Sequence, residues 1–249
     1  MNRILFHSTD LTPDTAHRLI LRDRRARHII HVLRASIGDT LRVGQLDGPI
    51  GTGRIAAITD NEVHLELTLN AAAPLPWIDL LLAVPRPKVL KRLWAQLTAL
   101  GVGRIILVNA QRVERCYFDT HWLTPAAYTP LLIEGLEQSG ATHLPEVWIR
   151  RAFKPFIEDE LTGHYGDSLK LLAHPDPCKN DVSLPLLSPN ATSRPLLAIG
   201  PEGGWIDYEL AQLETHGFAR LSLGPRTLRT DTACIALLGR LMPALSAAR

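Results

Sequence analysis

From Ile78 onward the chain repeats one pattern, a short apolar run followed by a helix-length stretch. The runs are "DLLLAV" at 79–84, "RIILVNA" at 104–110, "LKLLA" at 169–173, "LLAIG" at 196–200 and "RLSLG" at 220–224. They have the length of strands, and the continuous apolar ones suit strands buried on both faces. Between the first two, Val89, Leu90, Leu93, Trp94, Leu97 and Leu100 recur at helical spacing, and Gly101 stands where that helix ends. Further helices are expected over about 124–139 and from about Asp231. Strands that alternate with helices need crossover connections, so the pattern predicts a parallel α/β sheet.

The first part of the chain follows a different rule. "DTLRVGQLDGPIGTGRIAAITDNEVHLELTL", residues 39–69, alternates apolar and polar residues around Asp47-Gly48 and Asp60-Asn61, which suits antiparallel hairpins. The only helix-length apolar period there lies around residues 23–35. "NAAAPLPW" at 70–77 reads as a linker, which divides the 249 residues into a small β-domain, 1–72, and an α/β domain, 73–249.

Other classes of protein fall away. The apolar runs are well short of the roughly 20 residues that span a bilayer. "MNRILFHSTDLTPD" lacks the apolar core of a secretory signal. Cys116, Cys178 and Cys234 match neither disulfide nor zinc spacing, so they read as reduced thiols of a cytosolic protein, and no metal is expected. A formal charge of +2 does not by itself imply a nucleic-acid partner. Its distribution does: "HRLILRDRRARHIIHVLR", residues 17–34, holds Arg18, Arg22, Arg24, Arg25, Arg27 and Arg34 against the single acid Asp23. That density points to a phosphate-binding surface, which Lys88 extends.

In open parallel sheets ligands bind beyond the carboxyl ends of the strands, and three such ends carry unusual loops. These are "LLAHPDPCKN", "IGPEGGW" and "SLGPRTLRTDTACIALLG". None contains a phosphate-loop or dinucleotide fingerprint. Their glycines let backbone amides approach a ligand closely. Arg226 and Arg229 precede an apolar helix whose dipole disfavours positive charge there, which suggests an anionic partner.

The pair "IGPEGGW…E" and "GF…LSLGPRTLRTDTA" resembles the 16S ribosomal RNA uridine N3-methyltransferase family of the SPOUT superfamily. "HIIHVLRASIGDTLRVGQLDG", "QLTALGVGRIILV" and "EGLEQSGATHLPEV" extend the resemblance over most of the chain. It implies an N-terminal PUA-like β-barrel that binds RNA and a C-terminal α/β domain with a trefoil knot. It also implies S-adenosylmethionine as methyl donor, small-subunit ribosomal RNA as substrate and a cytoplasmic homodimer. The cofactor would lie against Leu172 and His174 of the first loop and Ile199, Gly200 and Gly203 of the second. The third loop would supply Leu223, Gly224, Leu228, Thr230 and Ala233. Arg229, then Arg226, would stabilise the uracil as its N3 proton leaves, and Glu202 would either accept that proton or cap the Gly203 turn.

The chain departs from the family at several positions. Ala99 and Ala141 replace charged residues of the presumed RNA-facing surface, and Asp231 replaces a glutamate. Ile206 stands where a serine caps the helix after the paired glycines, leaving Asp207 as the expected cap. These changes bear on the substrate more than on the cofactor loops. Alternatives are a paralogue of the same fold with another RNA target, or an RNA-binding assembly factor that retains the pocket without turnover.

Overall fold

A computed structural model of the protein describes residues 2–12, 15–175 and 193–246. Cys178, and the part of the first strand-end loop beyond Pro175, lie outside the described residues. The chain forms two compact units. The first takes residues up to Leu75 together with Ile133–Leu144, and the second takes Pro76–Leu132 and Pro145 onward. The segment 133–144 was expected in the α/β domain.

The first unit holds β1 (Ile4–Phe6), β2 (Leu11–Thr12), β3 (Thr15–Leu21), β4 (Thr40–Gln45), β5 (Ile50–Ile58) and β6 (Val63–Ala71). They make one sheet in the order β1-β4-β5-β6-β3-β2, antiparallel except where β1 pairs with β4. The alternation predicted from sequence appears as burial: Val63, Leu65 and Leu67 of β6 face a core with Phe6, Leu19, Leu21, Val43 and Ile55, and Glu66 and Thr68 face outward. Asp47-Gly48 turns β4 into β5, with the Gly48 N–H donating to the Gln45 carbonyl at 3.0 Å.

The basic stretch begins on a strand and continues into helix over 24–33, where the helical period around 23–35 was expected. Arg18 lies on β3 opposite Glu66. Asp23 then caps α1 (Arg24–Arg27) by accepting the Arg25 N–H at 2.8 Å, and a wider helical turn continues over His28–Leu33. Acids from elsewhere in the chain reach several of the arginines. Arg22 pairs with Glu62, and Arg24 forms two bonds, at 2.8 and 3.2 Å, to the buried carboxylate of Glu137. Arg25, only 13% exposed, binds Asp10, Asp23 and the Leu5 carbonyl. Arg27 and Arg34 are exposed and form no ion pair among the described residues.

The segment 133–144 is stitched to this unit by its backbone. The Asn2 N–H donates to the Glu137 carbonyl at 2.9 Å, and the Asp47 N–H to the Thr142 carbonyl at 2.9 Å. Arg3 Nε donates to the Gly140 carbonyl, Thr142 Oγ1 to the Gly48 carbonyl, and the Leu144 N–H to Asp47 Oδ1, each at 2.8 Å.

The second unit contains β7 (Ile78–Ala83), α2 (Pro87–Ala99), β8 (Val102–Val108), α3 (Pro125–Ser139) as far as residue 132, and β9 (Glu146–Arg150). After these come α4 (Phe153–Pro155), α5 (Leu161–Tyr165), β10 (Lys170–Ala173), β11 (Leu196–Ile199), α6 (Asp207–Thr215), β12 (Phe218–Leu221) and α7 (Thr230–Ser246). The strands form a wholly parallel sheet in the order β12-β10-β11-β7-β8-β9. All six residues of β7 are buried, as its apolar run predicts. "RLSLG" enters the sheet earlier than expected: β12 begins at Phe218, and Ser222–Gly224 already belong to the loop. Because every strand runs the same way, all six carboxyl ends lie along one edge, and the order places those of β12, β10 and β11 side by side.

Arg25 ties three parts of the first unit together, and this carries a pH signature. Burial raises the Asp10 and Asp23 carboxyls, but hydrogen bonds from Arg25 and from backbone amides outweigh it and hold both below the usual carboxylate range. A depressed folded-state value stabilises fully above the unfolded value of about 3.9 and is lost as pH falls through the folded one. Arg25→Ala is therefore expected to cost about 1–3 kcal/mol at neutral pH. The gap to the parent should narrow below about pH 4. Equilibrium denaturation at neutral and acidic pH checks this; a gap independent of pH would refute it.

Candidate active site

A cleft opens where β10, β11 and β12 end. From the first loop it is lined by Ala173, His174 and Pro175, and from the second by Ile199, Gly200, Pro201, Glu202, Gly204 and Trp205. Leu221 ends β12, and Leu223, Gly224, Arg226, Thr227 and Leu228 follow from its loop. Thr230, Ala233 and Leu237 of α7 complete the wall. The interior is mainly apolar, with Ile199, Leu221 and Leu237 almost fully buried, while Glu202 and Arg226 are exposed at the rim.

Local bonding explains the shape of two of the loops. Gly224 has φ +97°, a left-handed conformation that favours glycine, and nothing lies within 4 Å of where a Cβ would stand. Its N–H donates to Ser222 Oγ at 3.1 Å. At Gly200 a Cβ would sit 3.0 Å from the Trp205 ring, so glycine lets that indole pack against the end of β11 without a shift of either.

The Pro201–Gly204 turn is held from outside by other strand ends. Glu202 Oε1 accepts the Arg86 N–H at 3.2 Å, at the start of α2. Arg112, in the loop after β8, donates to the Gly203 carbonyl. Glu209, 3% exposed, accepts the N–H groups of Gln111 at 2.7 Å and Ile206 at 3.0 Å. Glu209 is thus the residue that caps α6. Asp207, the expected cap, lies in the first turn and leaves the capping to Glu209. At the start of α7 the positive partner is Arg92, which binds Asp231 at 2.7 Å. Burial pushes the Cys234 thiol up, so it is a neutral core group on α7.

Most of the residues expected around a ligand come together here: His174, Ile199, Gly200, Leu223, Gly224, Leu228, Thr230 and Ala233, with Glu202 and Arg226. Three stand apart from the lining. Leu172 is fully buried within β10, Gly203 faces Arg112, and Arg229 is exposed at the head of α7. Trp205 and Leu237 line the cleft without having been predicted. Leu237 was discoverable, since it lies four residues, about one helical turn, after Ala233. Of the basic residues, Lys88 is exposed on α2, and in the first unit Arg24, Arg27, His28, His31 and Val32 line a shallow, open depression. No group of His, Cys, Asp or Glu that would hold a metal ion occurs among the described residues, nor any helix long and apolar enough to cross a membrane.

Comparison with known proteins agrees with this arrangement. Residues 72–242 match the model of the RNA methyltransferase domain and residues 21–68 that of the RNA methyltransferase PUA domain. Ribosomal RNA small subunit methyltransferase E of Treponema pallidum is 32% identical, over 95% of this chain and 88% of that protein. A methyltransferase E 1 of Borreliella burgdorferi is 25% identical, over 87% and 88%. Among solved structures, a putative methyltransferase of Legionella pneumophila in complex with S-adenosylmethionine superposes with a TM-score of 0.74 at 26% identity, covering 98% of this chain and 97% of that one. Methyltransferase E of Neisseria gonorrhoeae shares the fold, with a TM-score of 0.73 over 98% of both chains. The fold is therefore the expected one, a SPOUT-type α/β domain preceded by a PUA-like domain, and the chain belongs to the RNA methyltransferase family that includes ribosomal RNA small subunit methyltransferase E.

Proposed function

We propose that the protein transfers a methyl group from S-adenosylmethionine to N3 of a uridine in small-subunit ribosomal RNA, acting in the cytoplasm as a homodimer. The observation that carries this is the cleft walled together by the three strand-end loops, two of which carry both glycine and proline, in a chain of this family. The residues present fit the cofactor. Ile199, Leu221 and Leu237 offer apolar walls for a nucleoside, and the open space beside Gly224 admits a ligand to the backbone. When bound, S-adenosylmethionine supplies an activated methyl group together with its own leaving group.

The chain's own residues then have two tasks, orientation and control of a proton. Uridine N3 is a poor nucleophile until its proton leaves. Glu202, on the cleft rim and positioned by the Arg86 N–H, is the acceptor for that proton. Arg226, on the facing rim, stabilises the negative charge that spreads onto the uracil oxygens. Arg229, outside the lining, becomes a contact to RNA phosphate, together with the exposed Arg27, Arg34 and Lys88. The dimer follows the resemblance and is consistent with the exposed Ile235 on α7.

The deciding experiment incubates the protein with S-adenosylmethionine and purified small ribosomal subunits, then analyses the nucleosides. N3-methyluridine is the expected product. Another methylated nucleoside would favour the same-fold paralogue, and cofactor binding without any product would favour the assembly factor.

Arg226→Ala should lower the single-turnover rate by about 100- to 1,000-fold, as for loss of one well-placed donor. Cofactor affinity should change little, because the interaction develops in the transition state. Higher pH should partly restore the rate by ionising more of the uridine. If Arg229→Ala behaves this way and Arg226→Ala does not, the two roles are exchanged.

A further inference from the structure

Three tryptophans are almost fully buried: Trp77, Trp94 and Trp205. Two of them donate their indole N–H to a carbonyl, Trp77 to Leu100 at 2.6 Å and Trp94 to Trp122 at 3.1 Å. Trp205 does not. Its Nε1 is buried and has no hydrogen-bond partner, one of only three such side-chain atoms among the described residues. It is also the one that belongs to the wall of the cofactor cleft; the other two are His28 Nε2 in the first unit and Ser168 Oγ before β10.

The ring's position is constrained on both sides. Its pyrrole edge lies against Gly200, where a Cβ would approach Cδ1 and Nε1 to 3.0 Å and Cε2 to 3.2 Å. Phe153 packs on it at a centroid separation of 5.7 Å and a tilt of 50°. The N–H edge therefore sits beside Gly200, which lines the cleft together with Ile199 and Leu221. A phenylalanine would fill such a wall without burying an unpaired donor, and an unpaired buried donor is costly. The cost is removed if a ligand brings the acceptor.

The geometry points to Trp205 as a cofactor-binding residue whose indole N–H donates to an acceptor atom of bound S-adenosylmethionine. The assignment rests on the proposed cofactor and adds to it a side-chain contact, from a residue the sequence did not mark. It also gives Gly200 a specific reason to be glycine, because a side chain there would press on the indole edge that carries the N–H.

Calorimetric titration of S-adenosylmethionine into the parent, Trp205→Phe and Trp205→3-benzothienylalanine tests it. The last keeps the bicyclic shape and replaces the N–H by sulfur, so it covers the case in which the smaller phenylalanine upsets folding. Both variants should bind about tenfold more weakly, the order expected for one lost hydrogen bond. The ligand-free benzothienyl variant should unfold at the same temperature as the parent or higher, because the unpaired donor is gone. Affinity within twofold of the parent in the benzothienyl variant would overturn the assignment, and so would a loss of ligand-free stability in that variant. A parent that binds no S-adenosylmethionine would overturn the cofactor proposal itself, and this assignment with it.

Discussion

The carboxylate of Glu209 is buried, and it holds two backbone N–H groups from different parts of the second unit, Gln111 beyond β8 and Ile206 at the head of α6. A buried charge is tolerable only with such partners, and here the partners fix the glycine turn from behind. Arg112 on the Gly203 carbonyl and the Arg86 N–H on Glu202 add two further ties. The turn lining the cleft is thus set by groups that never enter it. A backbone surface held in this way loses little freedom when a ligand binds, which is how a loop becomes a precise site.

The other end of the sheet is built differently. Asp79, 2% exposed at the start of β7, is bound by Arg194 Nε at 2.5 Å and Nη2 at 3.2 Å, and by the Tyr165 hydroxyl at 2.8 Å. Arg104 donates to that same hydroxyl at 2.9 Å and stacks over Trp148 at 4.0 Å. Burial and the neighbouring Asp79 charge push the Tyr165 phenol far up, so it stays a neutral donor. The amino end of β7 is closed by a network of charged and hydrogen-bonded side chains, and the carboxyl ends of the sheet are left to loops. One parallel sheet thereby separates what stabilises it from what binds.

How much of this could be read from the residues follows from the range of the forces involved. The apolar runs of β7 and β8 specify strands locally, and so did the glycines and prolines of the second and third loops. Counting charge along the basic stretch sees only Asp23. Asp10, Glu62 and Glu137 reach Arg25, Arg22 and Arg24 through the fold. Leu172 and Gly203 were expected around the ligand from their position in the loops; in the structure Leu172 is buried within β10 and Gly203 is exposed beside Arg112. Trp205 carried no signal of its own. An indole beside paired glycines looks like any core residue until its missing partner is seen.

Residues 133–144 belong to the first unit although nearly sixty residues of the other unit precede them. The Pro-rich stretch at 70–77 looks like the place to divide the gene, yet a fragment ending there would leave Arg24 without Glu137 and the Asp47 turn without Thr142 and Leu144. The first unit is therefore not one continuous stretch of sequence. To move it intact into another protein, both pieces, 1–75 and 133–144, would have to travel together.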